Sequence, residues 1–275
     1  MERFFIFADQ SSIQISEGVC HLKQADTLDF CRQEILYDVK VIADTVRQIS
    51  RCDRGILQIG SRYTKFFGQT CWRMDMNTTL FDDGKEQVAY RDLLDNVLAF
   101  SIVRNIQSHK LINRHHIPFT TDLEVEYTEP EPSPDWKISD ETRTICEYEC
   151  RKAVAAFGGR EWEAWFAVEI PCAFGPWKLA GLPGLILQAH DDRNHYVFTA
   201  VSIKTSDEPI LNYKIKTHPM SKSKWLEYEY NIHKSPVRIL GNGGKIGFLI
   251  NNSNTRNLEL LDEEWSIPYN PIELE

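Results

Sequence analysis

The sequence is poor in the features that most quickly declare a function. No run in its 275 residues approaches the roughly 20 consecutive apolar residues of a membrane-spanning helix. The apolar stretch Phe4 to Ala8, after Arg3, is shorter than the about 7–15 residues of a signal-peptide core, so no signal peptide is expected as the chain stands. Positive charge is in deficit, with 31 Lys+Arg against 40 Asp+Glu and a formal net charge of −9. That argues against nucleic acid as a partner, because neutralising phosphates requires a basic footprint. There is no G-x-S-x-G elbow, no H-E-x-x-H helix and no G-x-G-x-x-G loop, so the usual nucleophile, zinc-protease and phosphate-cradle signatures are missing. A doubled C-x2-C is also missing. Seven cysteines in a chain this long do not make a disulfide scaffold, and the odd number leaves at least one thiol unpaired. Cys146 and Cys150 are the closest pair; they read as part of one extended segment, about 13 Å end to end, too far apart to bridge.

What is present is a core. The chain is 42% hydrophobic, with 14 Phe, 10 Tyr and 7 Trp, which excludes disordered and coiled-coil classes. Strand-like alternation runs through Ile35, Tyr37, Val39 and Val41, through Leu123, Val125 and Tyr127, and through Trp162, Ala164, Phe166, Val168 and Ile170. Tyr196, Phe198 and Ala200 interleave with Val197, Thr199 and Val201, predicting a strand covered on both faces. Helical spacing is rarer. Ser221 can cap a helix to His233 carrying Trp225, Tyr228 and Ile232 on one stripe, and Asp92 to Val103 has helical spacing that runs towards a strand at Ile102. The expected fold is β-dominated α+β: one large, twisted, curved antiparallel sheet, half-barrel or bowl-like, with one or two helices packed on it. Glu129 to Asp135, EPEPSPD, reads as a surface loop between strands. Residues 204–245 hold 8 Lys+Arg and 4 Asp+Glu, a locally basic region on an acidic body.

The densest stretch of unusual residues is Trp136 to Asp191. It contains the hexapeptide Gly181-Leu182-Pro183-Gly184-Leu185-Ile186, preceded by Tyr148, Cys150, Lys152, Gly159, Arg160, Trp162, Trp165, Ile170, Pro171, Gly175 and Pro176. In these residues, and in the ending Tyr269 to Glu275, the chain resembles the GLPGLI family from about residue 30 onward. It departs from that pattern at Cys146, where members carry Gly. The resemblance implies a poorly defined N-terminal segment over residues 1–29 and a single domain over 30–275. It also implies a bacterial periplasmic or cell-envelope setting, with an envelope protein such as a TonB-dependent transporter as a partner. It supplies no catalytic or binding residue, leaving Tyr148, Cys150, Arg160, Trp165, Pro171, Gly181, Pro183 and Gly184 as a structural motif.

Read physically, Leu182 to Leu185 predicts a type II turn with Pro183 second and Gly184 at positive φ third. Arg160 reads as a structural partner for a carboxylate or backbone carbonyls. Trp162 and Trp165 fall on opposite faces of one strand. His190 and His195 flank a four-residue turn that would place two imidazoles across from each other beside Asp191, a donor set that suits a transition metal. His115-His116 reads as an exposed strand end. No cofactor is expected. The function that follows is a non-catalytic accessory or binding protein taking a partner protein, peptide or apolar ligand on a concave sheet. The alternative is a hydrolase or peptidase whose site converges from distant residues.

Overall fold

The computed structural model describes residues 5–9, 12–14, 20–82, 97–117, 123–240, 247–252, 255–260 and 266–275. Its centre is one twelve-stranded sheet. With elements numbered in chain order, the sheet begins β10 (Lys137–Ile145), β11 (Tyr148–Phe157), β12 (Arg160–Ala167), β13 (Leu185–Asp191), β14 (Tyr196–Thr205) and β4 (Gln33–Asp44). It continues β5 (Ile49–Ile59), β6 (Tyr63–Gly68), β7 (Phe100–Asn105), β8 (Lys110–His116), β9 (Leu123–Pro130) and β16 (Lys216–Pro219). Every pairing is antiparallel except that of β16 with β9. A two-stranded sheet joins β3 (Ala25–Phe30) to β15 (Pro209–Tyr213). A four-stranded one is built from β1 (Phe5–Asp9), β2 (Ser12–Gln14), β17 (Gly247–Asn252) and β18 (Thr255–Leu260).

The connection from β9 to β10 fixes the shape of the large sheet. These strands stand ten inter-strand steps apart, about 48 Å if the sheet were flat. Only residues 131–136 join them, and a link from Pro130 to Lys137 reaches about 24 Å. The sheet must therefore roll, and it stays open, with β10 and β16 as its edges. The curved antiparallel sheet expected from the sequence is present; of the expected loop Glu129 to Asp135, Glu129 and Pro130 are instead paired residues of β9, and the loop that forces the curve is residues 131–136.

Alternation built the inner face where the sequence showed it. Ile35, Tyr37, Val39 and Val41 are buried while Asp38 and Lys40 face solvent. They pack with Leu57, Phe66, Trp162, Phe166, Leu187 and Phe198 into one cluster drawn from both halves of the sheet. The two faces of β14 differ: Tyr196, Phe198 and Ala200 are buried, Val197 and Thr199 are half-buried, and Val201 is exposed.

The segment between β12 and β13 re-enters that interior. Trp177, Leu179 and Leu182 are buried in the cluster, Trp177 stacking 5.5 Å from Trp162. The expected type II turn is corrected here. Gly184 is not at positive φ; it is glycine because a Cβ would lie 2.2 Å from the Ala167 carbonyl oxygen. The positive φ, +94°, belongs to Gly181.

Three helices occur among the described residues. α1 (Gln69–Asp82) was not foreseen. α2 (Lys222–Lys234) is capped by Ser221, whose side chain accepts from the Lys224 N–H, and buries Trp225 and Ile232 against Val125 and Tyr127. α3 is the short Pro236–Leu240. The helical spacing of 92–103 did not produce a helix in its described part. Residues 92–96 lie outside the described residues, and Phe100–Asn105 is a strand because pairing with β6 and β8 outweighs the local pattern. Cys146 and Cys150 are not in one extended run either: the chain reverses at Cys146 and Glu147, both at positive φ, as a two-residue hairpin loop requires. All seven cysteines are free thiols.

Candidate functional site

The structure gathers five ionisable side chains that the sequence scatters over more than a hundred positions. Cys71 and Asp75 are one turn apart on α1, so both project from the same side of the helix. His116 ends β8 and stands opposite Glu124 on β9, a directly paired position. Cys20 reaches the cluster from outside the sheet, its backbone N–H donating to Asp75 Oδ1 at 2.7 Å. Thr79 donates to the Asp75 carbonyl and accepts from the Leu22 N–H, tying this segment to the helix. All five side chains are buried.

His116 is held from both sides. Its Nε2 donates to Asp75 Oδ2 at 3.0 Å, and its Nδ1 lies 3.4 Å from Glu124 Oε1. The Cys71 sulfur is 3.6 Å from Nδ1 and 3.7 Å from Nε2, hence on the plane bisecting the ring rather than in line with either N–H. Burial alone favours neutral imidazole, but the Cys71 sulfur and the Asp75 carboxylate outweigh it and raise the His116 pKa well above its ordinary value. Burial pushes the Cys71 thiol up to about 12. It also raises Cys20 and Glu124, against which the His116 contacts act. Two sets of potential ligand atoms lie within 4.8 Å of one another, Cys20–His116–Glu124 and Cys71–Asp75–His116.

A recess of about 50 Å³ opens beside the cluster, lined by Lys65, Phe67, Trp72, Arg114 and Tyr213 with His116 and Glu124. Lys65 is buried between the rings of Phe67 and Tyr213, donates to the Leu211 carbonyl at 2.7 Å, and is lowered by burial to about 8. Such a recess holds a few water-sized groups, well short of the about 300–1,000 Å³ of a small-molecule pocket.

The residues singled out from sequence take other places. His190 pairs across the strands with Val197, not with His195, because the register puts His195 in the turn. Its Nδ1 donates to the Asp191 carbonyl at 3.0 Å and its Nε2 lies 3.2 Å from Glu163 Oε1. Arg160 donates from Nε to the Ile272 carbonyl (2.9 Å), from one terminal nitrogen to Asp191 Oδ2 (2.6 Å), and from the other to Asn270 Oδ1 (2.9 Å) and the Pro271 carbonyl. Tyr148 is half-buried, and the buried Cys150 thiol donates to its carbonyl. Trp162 and Trp165 are both buried; Trp165 lies under the Arg143 guanidinium, 3.9 Å from its ring centre, and donates to Glu163 at 2.8 Å. Pro171, Gly181 and Pro183 are exposed corners, and Gly184 is buried. His115-His116, read as an exposed strand end, is covered on both faces of the strand: His116 is 6% exposed, and on the other face His115 stacks on Tyr127 and is lowered by burial to about 3.

With this geometry established, the family comparison bears on the hexapeptide segment. A family model described as "Protein of unknown function (Porph_ging)" matches residues 158–188, which span β12, the re-entrant segment and most of β13. This corrects the resemblance drawn from the sequence, since the matching family is that one and not the GLPGLI family. No curated protein matches the chain. Two solved structures of PNGF-II, in the P21 and C2 space groups, are similar to it at TM-scores of 0.47 and 0.48, each with 14% identity. They cover 82% of this chain and 36% and 35% of theirs, so the chain spans about a third of the length of PNGF-II. Among the described residues, no helix is long and apolar enough to cross a membrane.

Proposed function

We propose that this chain is a non-catalytic binding protein that engages a protein or peptide on its outer surface. The observation that carries this reading is the filled interior of the rolled sheet, where Trp177, Leu179 and Leu182 occupy the space a concave sheet would offer an apolar ligand. The periplasmic or envelope setting and a TonB-dependent transporter as partner rested on the corrected resemblance, and no other observation supports them. The outer face of the central strands offers a polar alternative. A groove of about 510 Å³ there is lined by Asp38, Lys40, Arg54, Gln69, Arg73 and Thr199, and Arg54 sits 3.4 Å from Asp38 across the strands. Alternating charges along this groove suit a polar segment better than an apolar one.

A second reading, hydrolysis at Cys71, is favoured by the convergence of Cys71, His116, Asp75 and Glu124 beside the Lys65 recess. Against it stands the off-line approach of Cys71 to the imidazole, whose Nε2 is already hydrogen-bonded to Asp75. Two measurements on the purified chain test the readings. A photo-crosslinking residue at Lys40 should trap one dominant adduct from source-cell extracts, and the same residue at Asp140 on edge strand β10 should not. Ester and peptide substrate panels should show no turnover above buffer. Turnover that disappears in Cys71→Ala would reverse the order of the two readings.

A further inference from the structure

We infer that the buried cluster is a metal centre, binding one borderline-soft divalent ion of the zinc type through Cys20 Sγ, His116 Nδ1 and Glu124. Three features support this assignment. The donor set is thiolate, imidazole and carboxylate, the combination that zinc accepts, with all donor atoms within 4.8 Å of one another. Glu124 is 4% exposed, yet its Oε2 has no hydrogen-bond partner. A buried carboxylate oxygen left unpaired is costly, and a metal ion held by these donors would satisfy it. The opposite ring nitrogen, Nε2, already donates to Asp75, which is itself fixed by the Cys20 N–H. A carboxylate on the far nitrogen is the arrangement that orients a metal-bound histidine and makes it a stronger ligand.

Asp75 is thus a positioning residue and Cys71 a neighbour rather than a ligand. The Cys71–Asp75–His116 set is disfavoured because it would take Asp75 away from the hydrogen bond that holds the ring. The inference goes beyond surface binding and does not depend on it, since the groove lined by Asp38 and Lys40 shares no lining residue with the cluster.

The test uses the purified full chain, stripped with a chelator and titrated with Zn²⁺ alone against a chromophoric competitor, with Co²⁺ as a spectroscopic probe. One ion per chain should bind, and Co²⁺ should give a thiolate-to-metal charge-transfer band in the near ultraviolet. Cys20→Ser should abolish that band. His116→Ala and Glu124→Gln should weaken Zn²⁺ binding by more than Asp75→Asn, whose loss should fall at about 10–100-fold, typical of a residue that orients a ligand. Cys71→Ser should keep the band. Far-ultraviolet circular dichroism of each stripped variant verifies the fold, and Glu124→Gln, which preserves shape, carries the test if His116→Ala does not fold. The inference is overturned by a wild type that binds no ion, or by a band that survives Cys20→Ser and vanishes in Cys71→Ser.

Discussion

Arg160→Ala should be among the most damaging single changes in this chain. The guanidinium is 6% exposed, lies 5.0 Å from the Tyr196 ring centre, and serves four acceptors: Asp191, the Ile272 and Pro271 carbonyls, and Asn270. Removing it leaves the wholly buried Asp191 carboxylate with one remaining donor, the Tyr196 N–H at 2.9 Å. Breaking a buried ion pair by deleting one partner costs about 3–5 kcal/mol. Against a typical domain stability of about 5–15 kcal/mol, that is a large share. Arg160→Lys keeps the charge, but a single ammonium cannot reproduce the planar fork, so about 2–3 kcal/mol should be lost with it. Urea unfolding gives both numbers, and amide exchange localises the damage. The Leu274 N–H, which donates to the Gly158 carbonyl, should lose protection in Arg160→Ala well before the core does. In a double-mutant cycle with Asp191→Ala, the two losses should be strongly non-additive. If Arg160→Lys matched wild type within about 0.5 kcal/mol and Leu274 stayed protected in Arg160→Ala, the reasoning would be refuted.

Other expectations follow from other parts of the fold. Burial raises the Glu229 carboxyl to about 7 despite the hydrogen bond from the Tyr269 hydroxyl, with Glu273 adding to the rise. Between pH 4.5 and about 7 the folded chain therefore holds a proton that the unfolded chain releases, and stability should fall as pH rises through that window. Allowing for its partial exposure, the loss should be about 2 kcal/mol, and Glu229→Gln should flatten the pH profile of thermal melting. Gly184→Ala would set its methyl against the Ala167 carbonyl and should prevent soluble expression or cost more than about 3 kcal/mol, whereas Gly181→Ala, strained only by its φ, should cost about 1–2 kcal/mol in the same unfolding assay. Lys178, 1% exposed between Glu129 and Glu273, should cost about 3–5 kcal/mol when replaced by Ala, with part of that recovered when Glu273→Gln is added.

The sequence made α2 legible because Ser221 and the Trp225, Tyr228, Ile232 stripe express the cap and the buried face in residue types that mean little else. β4 was legible for the same reason. α1 was not, because the face it buries is Cys71, Met74, Asp75 and Thr79, correctly spaced for a helix but half polar. The cluster stayed hidden through the same effect. Glu124 and Asp75 occupy positions where a hydropathy pattern reads solvent, and only the fold covers both faces of β9. One signal was available: His116 and Glu124 flank a β-hairpin and face each other across it. The expected pairing of His190 with His195 was displaced by register, since His190 stands opposite Val197 and His195 lies in the turn.

The Arg160 anchor also sets a timetable. Its partners Asn270 and Ile272 follow it by 110 and 112 residues. At a synthesis rate of about 5–20 residues per second they leave the ribosome about 6–22 s after it. During that interval β12 can find β11 and, later, Asp191, while three of the guanidinium's four acceptors do not yet exist. A nascent chain of this protein must therefore carry an arginine with one of its four acceptors in its central sheet until the residues that close over it have been made.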